Sequence, residues 1–310
     1  MNSQDWTHEV VATGEVHSHQ IVRRLHTERS QFQKIEVLET AGYGVGLFSD
    51  GRIQHVAGDE YIYSETIIHP AALLLGDHCK RALIVGGGPG GAIRELLRHR
   101  SIETITQVEI DPTMIDVSRR FFPHISQGCW EDPRVRLEIA DISDFLARNG
   151  ERFDLIIYDV SEPMKDTPAS NLFSSVFFTK IRAHLSERGI FVTWAGSVGP
   201  RSHELAASIH RAMETAFPHV MRYVCSTQSY GTSWLTLGGS NHPYEPLQLG
   251  RDAVDRAIAD HIQGTLRFYD GTTHLHMFNL PKDVRAALAQ APEHATGAGI
   301  QFQPGTGVQP

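Results

Sequence analysis

The chain has 310 residues, enough for one large domain or two unequal ones. An apolar fraction of 41% and a charged fraction of 21% are ordinary for a globular protein, and no apolar run is long enough to span a bilayer. The net charge of −8 comes without any basic cluster, so neither a nucleic acid nor a membrane is expected as partner.

The opening residues, MNSQDWTHEV, lack the basic-then-apolar profile of a signal peptide, and a cytoplasmic location is the expectation. From about Gln31 to Gly58 the chain reads as strands. QKIEVLET and YGVGLF are rich in β-branched and aromatic residues, and Asp50–Gly51 between two such runs signals a hairpin. YIYSETIIHPAALLL then turns helical. From Arg81 the pattern alternates. RALIV, TITQVEI, RVRLEI, FDLIIYD and GIFVTWA read as strands; AIRELLRHR, PTMIDVSRRFF, ISDFLAR and FFTKIRAHL read as helices. Such alternation predicts right-handed βαβ crossovers and a mostly parallel sheet with helices on both faces. HELAASIHRAMETAF adds a helix, and strands follow near VMRYVCS and SWLTLG. The organisation expected is a β-hairpin domain with a linking helix over 1–78, a Rossmann-like domain over 79–292, and a Gly/Pro/Gln-rich disordered tail over 293–310.

Cys79, Cys129 and Cys225 are far apart, with no CxxC pair, which indicates neither a disulfide framework nor a thiolate zinc site. The histidine runs His17–His19 and His274–His276 come without a third ligand at a metal spacing, so no metal is expected.

In an open parallel sheet, ligands sit beyond the carboxyl ends of the strands. GGGPGG, Gly86–Gly91, follows the first strand of the alternating region. Glu109 and Asp111 end the second, Asp141 follows the third, and Asp159 ends the fourth. Glycines let the backbone approach a ligand. A carboxylate ending the second strand can accept both ribose hydroxyls, and Asp141 can accept from an adenine amine. A dinucleotide fold would show G-x-G-x-x-G with a pyrophosphate on the helix N-terminus. The crowded loop and the third-strand aspartate suit a class I S-adenosylmethionine-dependent transferase better.

These motifs, with FQKIEVLET and ETAGYGVGLFSDGRIQHVAGDEYIYSE before them and FDLIIYDVSEP…NLF after, resemble the polyamine aminopropyltransferases, the spermidine synthase family. The resemblance implies a small N-terminal β-domain on a Rossmann-like α/β domain, a homodimer or homotetramer, a small-molecule acceptor and a sulfonium donor. It further implies that Gln33, Gly86, Gly88, Pro89, Gly90, Glu109 and Asp141 line the donor site, that Asp159 takes the nucleophile's proton, and that Tyr63 orients the acceptor.

The pattern breaks in several places. The family's Gly-Gly-Gly-Asp-Gly-Gly becomes Gly86–Gly91 with Pro89 before Gly90. The missing aspartate would pair with the amine of decarboxylated S-adenosylmethionine, a charge-assisted bond typically worth ~1.5–3 kcal/mol. It would also repel the carboxylate of intact S-adenosylmethionine by about 4 kcal/mol at 4 Å and an effective dielectric of 20. On the acceptor side, Tyr-His-Glu becomes Tyr63–Ser64–Glu65 and Asp-x-x-Asp-Pro ends in Glu162–Pro163. Without an alignment gap, Gln228 replaces a tyrosine, and the gating loop EPMKDTPASNLF brings in Lys165. Ser64, Glu65, Glu162, Lys165 and Gln228 are thus expected to meet the acceptor. The first expectation is transfer of a 3-amino-3-carboxypropyl group from S-adenosylmethionine. Methyl transfer and aminopropyl transfer from the decarboxylated donor are the alternatives, with a donor-binding scaffold as the non-enzymatic one.

Overall fold

The computed structural model describes residues 5–12, 14–164, 168–199, 202–290, 300–303 and 307–309. The chain begins with β1 (Asp5–Ala12), β2 (Glu15–Arg29), β3 (Lys34–Thr40), β4 (Gly44–Ser49) and β5 (Arg52–Val56). They form one antiparallel sheet in sequential order. The expected strands at Gln31–Gly58 are β3 to β5, and Asp50 and Gly51 both have positive φ, 48° and 82°, as a two-residue hairpin turn requires. The first two strands were not expected. Their faces are mostly exposed, so β2, EVHSHQIVRRLHTER, carries no clean apolar alternation.

Helix α1 (Glu60–Leu75) links this sheet to the second layer. It is buried on nearly every side, which is why its apolar residues show no single face. The alternating region then gives β6 (Arg81–Gly86), α2 (Gly91–Leu97), β7 (Thr104–Glu109), α3 (Pro112–Phe121), α4 (Pro123–Ser126), β8 (Val135–Ile139), α5 (Ile142–Arg148), β9 (Phe153–Asp159), α6 (Ser175–Ala183), β10 (Leu185–Ser197), α7 (Glu204–Ala216), β11 (His219–Thr227) and β12 (Thr232–Ser240). The sheet order is β11-β12-β10-β9-β6-β7-β8. Strands β8, β7, β6, β9 and β10 run parallel, and β12 lies antiparallel between β10 and β11. The core sits on β6 and β9, where Leu83, Ile84, Leu155, Ile156 and Ile157 are fully buried. From β6 the chain winds outward through β7 and β8, then returns to the other flank of β6 as β9. The carboxyl ends of β6 and β9 therefore flank the switch point, where such sheets open a crevice.

Helices α8 (Arg251–His261), α9 (Gly271–Phe278) and α10 (Lys282–Ala289) complete the domain. Glu65 of α1, expected to contact the acceptor, instead fastens this region. Its carboxylate accepts the backbone N–H groups of Arg267, Phe268 and Tyr269 at 2.8–2.9 Å, and the residue is 1% exposed. The tail expected to be disordered from residue 293 carries a short hairpin among its described residues, β13 (Gln301–Gln303) and β14 (Gly307–Gln309). Ile300 before it is buried, and the Phe302 N–H donates to the Pro163 carbonyl at 2.8 Å. Phe302 also packs against the main core and lines the cavity described below, so a segment whose composition reads as solvated is docked.

Candidate active site

A cavity of about 260 Å3 opens at the carboxyl ends of β6 to β9 and is roofed by the N-terminal sheet. Eight residues singled out from the sequence line it together: Gln33, Tyr63, Gly86, Gly88, Glu109, Asp141, Asp159 and Glu162. Gly86 and Asp159 are paired neighbours at the ends of β6 and β9. A side chain on Gly86, whose φ is 78°, would collide with the Asp159 carbonyl, so only glycine lets the two strand ends meet.

Asp159 divides the cavity, because β6, β7 and β8 lie on one side of β9 and β10 and β12 on the other. On the first side, Glu109 ends β7 and is 6% exposed. Burial pushes its carboxyl up to about 7, against the Asp111 N–H that donates to Oε1 at 2.9 Å. Asp141 caps α5, accepting the Ser143 N–H at 2.7 Å. Both carboxylates face the cavity with capacity for hydroxyl or amine donors. Gln33 also lines it, but its amide is already spanned: Nε2 donates to Asp111 Oδ2 at 3.0 Å and Oε1 accepts from Ser49 at 2.5 Å. Asp111 itself is fully buried and takes a further bond from Ser30 at 2.7 Å, which makes it the fastening between the two domains.

At the centre, the Tyr63 hydroxyl donates to Asp159 Oδ1 at 2.6 Å. Desolvation raises the Asp159 pKa above the ordinary carboxylate value, with the nearby His55 and the Tyr63 bond opposing it. His55 lines the cavity edge-on to Tyr63, at 5.6 Å between rings, and its buried Nδ1 has no hydrogen-bond partner among the described residues. Burial lowers its pKa, so the ring is neutral at pH 7. Nothing in the sequence motifs singled out His55.

On the second side stands an ion triad. Arg52 donates to Glu162 through Nη2 at 2.6 Å and Nε at 2.9 Å, and meets Glu9 Oε1 at 2.9 Å. Burial disfavours the Arg52 charge, but Glu162 and Glu9 outweigh it and raise its pKa. Glu9 is pushed up to about 6, mainly by burial, with Arg52 opposing. Arg52 and Glu9 were both missed. Glu9 belongs to a strand the sequence did not reveal, and Arg52 meets Glu162 across 110 residues of chain.

Several expected residues lie elsewhere. Residues 63, 64 and 65 follow one another on α1, about 100° apart, so only one can face the cavity. That one is Tyr63. Ser64 turns away and donates to Glu60 at 3.0 Å, and Glu65 takes its backbone bonds on the far side. Gln228 is exposed and does not line the cavity; the tyrosine there is Tyr230, two residues on. A single helical turn, Gln228–Tyr230, holds Ser229 to Asp59 and swings Tyr230 inward, where its hydroxyl donates to the Gln54 carbonyl at 2.5 Å. Pro89 and Gly90 are buried off the cavity wall, Gly90 packing against Cys129 and Trp130. Only Gly86, Gly87 and Gly88 present that loop to the cavity. Lys165 lies outside the described residues. Among the described residues no cluster of metal-ligating side chains is present.

The raised Glu109 pKa makes a pH prediction for the unliganded protein. Between its ordinary value of 4.5 and about 7 the folded state holds a proton that the unfolded state releases, so stability falls as pH rises through that window. The difference amounts to about 3 kcal/mol at 1.36 kcal/mol per unit. Urea denaturation of Glu109→Gln against the parent from pH 4.5 to 8 should show a flatter profile in the variant and an advantage that grows with pH. Parallel profiles would contradict it.

Comparison with known proteins agrees with this geometry. Residues 60–243 match the Spermine/spermidine synthase domain family, and residues 5–56 match the Spermidine synthase tetramerisation domain family. A polyamine aminopropyltransferase of Sulfurisphaera tokodaii is 32% identical over 274 residues, 88% of this chain and 90% of its own length. One from a Synechococcus species is 34% identical over 292 residues, 92% of this chain and 93% of its own. The spermidine synthase of Thermotoga maritima superposes with a TM-score of 0.82 at 25% identity, covering 93% of this chain and 95% of its own. A spermidine synthase in complex with the transition-state analogue AdoDATO gives 0.83 at 25% identity, covering 93% and 96%. The chain therefore belongs to the spermidine synthase, or polyamine aminopropyltransferase, family of transferases.

Proposed function

We propose that this protein transfers an aminopropyl group from decarboxylated S-adenosylmethionine to a small-molecule amine. The observation that carries this reading is the Asp159–Tyr63 pair at the switch point, between a nucleoside-type end and an acceptor end. The named relatives support the choice of donor. In this reading Glu109 accepts the ribose hydroxyls, Asp141 accepts from the adenine amine, and the backbone of Gly86–Gly88 lets the donor lie close. The acceptor nitrogen attacks the propyl carbon in line with the sulfonium. The N–C bond forms as the C–S bond breaks, the nitrogen's proton passes to Asp159, and a thioether nucleoside leaves. A carboxylate with a raised pKa is the stronger base for that step. The reaction relies on positioning and a base; the sulfonium already activates the carbon.

A second reading, transfer of the 3-amino-3-carboxypropyl group from intact S-adenosylmethionine, is favoured by one observation. Pro89 leaves the glycine loop without a carboxylate, and the loop presents only glycine backbone to the cavity. Methyl transfer is the third reading. A homodimer or homotetramer is also proposed, through the β1–β2 hairpin. Its Trp6, Val10, Val16 and Val22 are 41–62% exposed, in the segment that matches the tetramerisation domain family.

Two measurements test these readings. Mass spectrometry of the products should show methylthioadenosine and an acceptor heavier by one aminopropyl group. An added carboxylate mass would select the second reading, and S-adenosylhomocysteine the third. In Asp159→Asn, turnover should fall by about 10²–10⁴-fold with donor affinity nearly unchanged. Near-normal turnover at neutral pH would remove Asp159 from the mechanism.

A further inference from the structure

Part of the cavity wall comes from the tail. Phe302 lines the cavity, yet it lies outside both matched segments, residues 5–56 and 60–243. Its backbone is fixed on the chain that leaves β9. The Phe302 N–H donates to the Pro163 carbonyl at 2.8 Å, and Phe302 pairs in parallel with Met164 as an isolated β-bridge. Glu162, which holds Arg52, directly precedes Pro163, so Phe302 belongs to the end of the cavity that carries the ion triad. Further contacts hold the segment down. Ile300 is 1% exposed within the main apolar core, and the Phe302 ring packs against that core. Strand β14 lies along α7, whose Leu205 also lines the cavity.

The rest of that end is built by the sheet itself and by the chain after β9. Trp194 of β10 is 5% exposed, and its Nε1–H donates to the Val160 carbonyl at 2.9 Å. Trp234 of β12 meets it edge-on, at 5.4 Å between rings. Met164 and Leu172 follow β9 and line the same cavity. The two tryptophans are locked into the core. Phe302, by contrast, is brought by a segment outside that sheet, so its ring can be cut back without opening the sheet.

We infer that Phe302 is a specificity-determining residue whose ring bounds the acceptor end of the cavity and so limits how long an acceptor can be. With the reacting nitrogen at Asp159, each added methylene pushes the far end of an amine toward the tail. A packed apolar wall admits methylenes up to the ring and rejects the next, a step of about tenfold or more per methylene. Cutting the ring back to a methyl group moves that wall outward. The position of the reacting nitrogen rests on the aminopropyl-transfer reading.

The test is a series of α,ω-diamines lengthened one methylene at a time, at saturating decarboxylated S-adenosylmethionine. In the parent, kcat/KM should fall by about tenfold or more from the best diamine to the next longer one. In Phe302→Ala the fall should move to longer diamines. The first diamine that the parent rejects should gain about tenfold relative to the parent's best, with donor Kd changed by less than about twofold. Phe302→Leu, with an apolar side chain of intermediate size, should lie between the two. Ile300→Ala, which loosens the segment and leaves the ring intact, should relax the length limit in the same direction. A tail that only stabilises the fold would lower kcat/KM for every diamine alike. That result, or a length profile unmoved in Phe302→Ala, overturns the inference. Calorimetry of the same diamines in the presence of methylthioadenosine reads the length limit without turnover, and binding of none of them also overturns it. If diamines bind but none releases a thioether nucleoside from the donor, the transfer reading fails instead. The calorimetric profiles of the parent and Phe302→Ala then still decide the role of Phe302.

Discussion

The site exists because two strand ends can touch. Gly86 and Asp159 are neighbours at the point where the chain, having wound from β6 through β7 and β8, returns as β9. No residue with a Cβ fits at Gly86. The same contact places a glycine-backbone surface beside a desolvated carboxylate. The cavity then extends to both sides of that carboxylate, toward β7 and β8 on one and β10 and β12 on the other. Everything else in the cavity is arranged around this junction.

The N-terminal sheet is fastened to the junction by buried carboxylates that do not face a ligand. Asp111 gathers Ser30 and Gln33, and Asp59 gathers both the N–H and the hydroxyl of Ser229. A buried carboxylate that loses such donors is costly, so these contacts hold the roof at a defined height. The roof then delivers His55, Arg52 and Glu9 to the cavity. Fold and chemistry are coupled here through interdomain hydrogen bonds rather than through apolar contact alone.

Apart from the exposed Asp50, which accepts the Lys34 N–H at 2.9 Å, the carboxylates lining the cavity fall into two kinds. Glu109, Asp141 and Asp159 keep capacity for a ligand, and burial raises the pKa of Glu109 and of Asp159. Glu9 and Glu162 are spent on Arg52. A carboxylate in a buried ion pair is poorly available to a second cation, because breaking the pair strands the guanidinium. A count of acids in the lining would therefore overstate the pull on a polycation.

The sequence by itself determined the two layers, the order of alternating strands and helices, and the acids Glu109, Asp141 and Asp159. Each is encoded locally: a short apolar run followed by a helix pattern makes a parallel strand, and the residue after such a strand lies at its carboxyl end. Tyr63 was legible because the tyrosine and the stretch before it keep the family pattern, although Ser64 departs from it. What the sequence did not carry is which way neighbouring side chains turn and what meets across long separations. Ser64 and Glu65 share the Tyr63 motif, yet a helix turns each to a different partner. A single helical turn leaves Gln228 exposed and brings Tyr230 to the cavity instead. Arg52 and Glu162 are 110 residues apart, and the Phe302 segment docks on Pro163 from a tail whose composition reads as solvated. Only the tertiary structure could decide these, because each depends on the relative placement of surfaces that are built by separate stretches of chain.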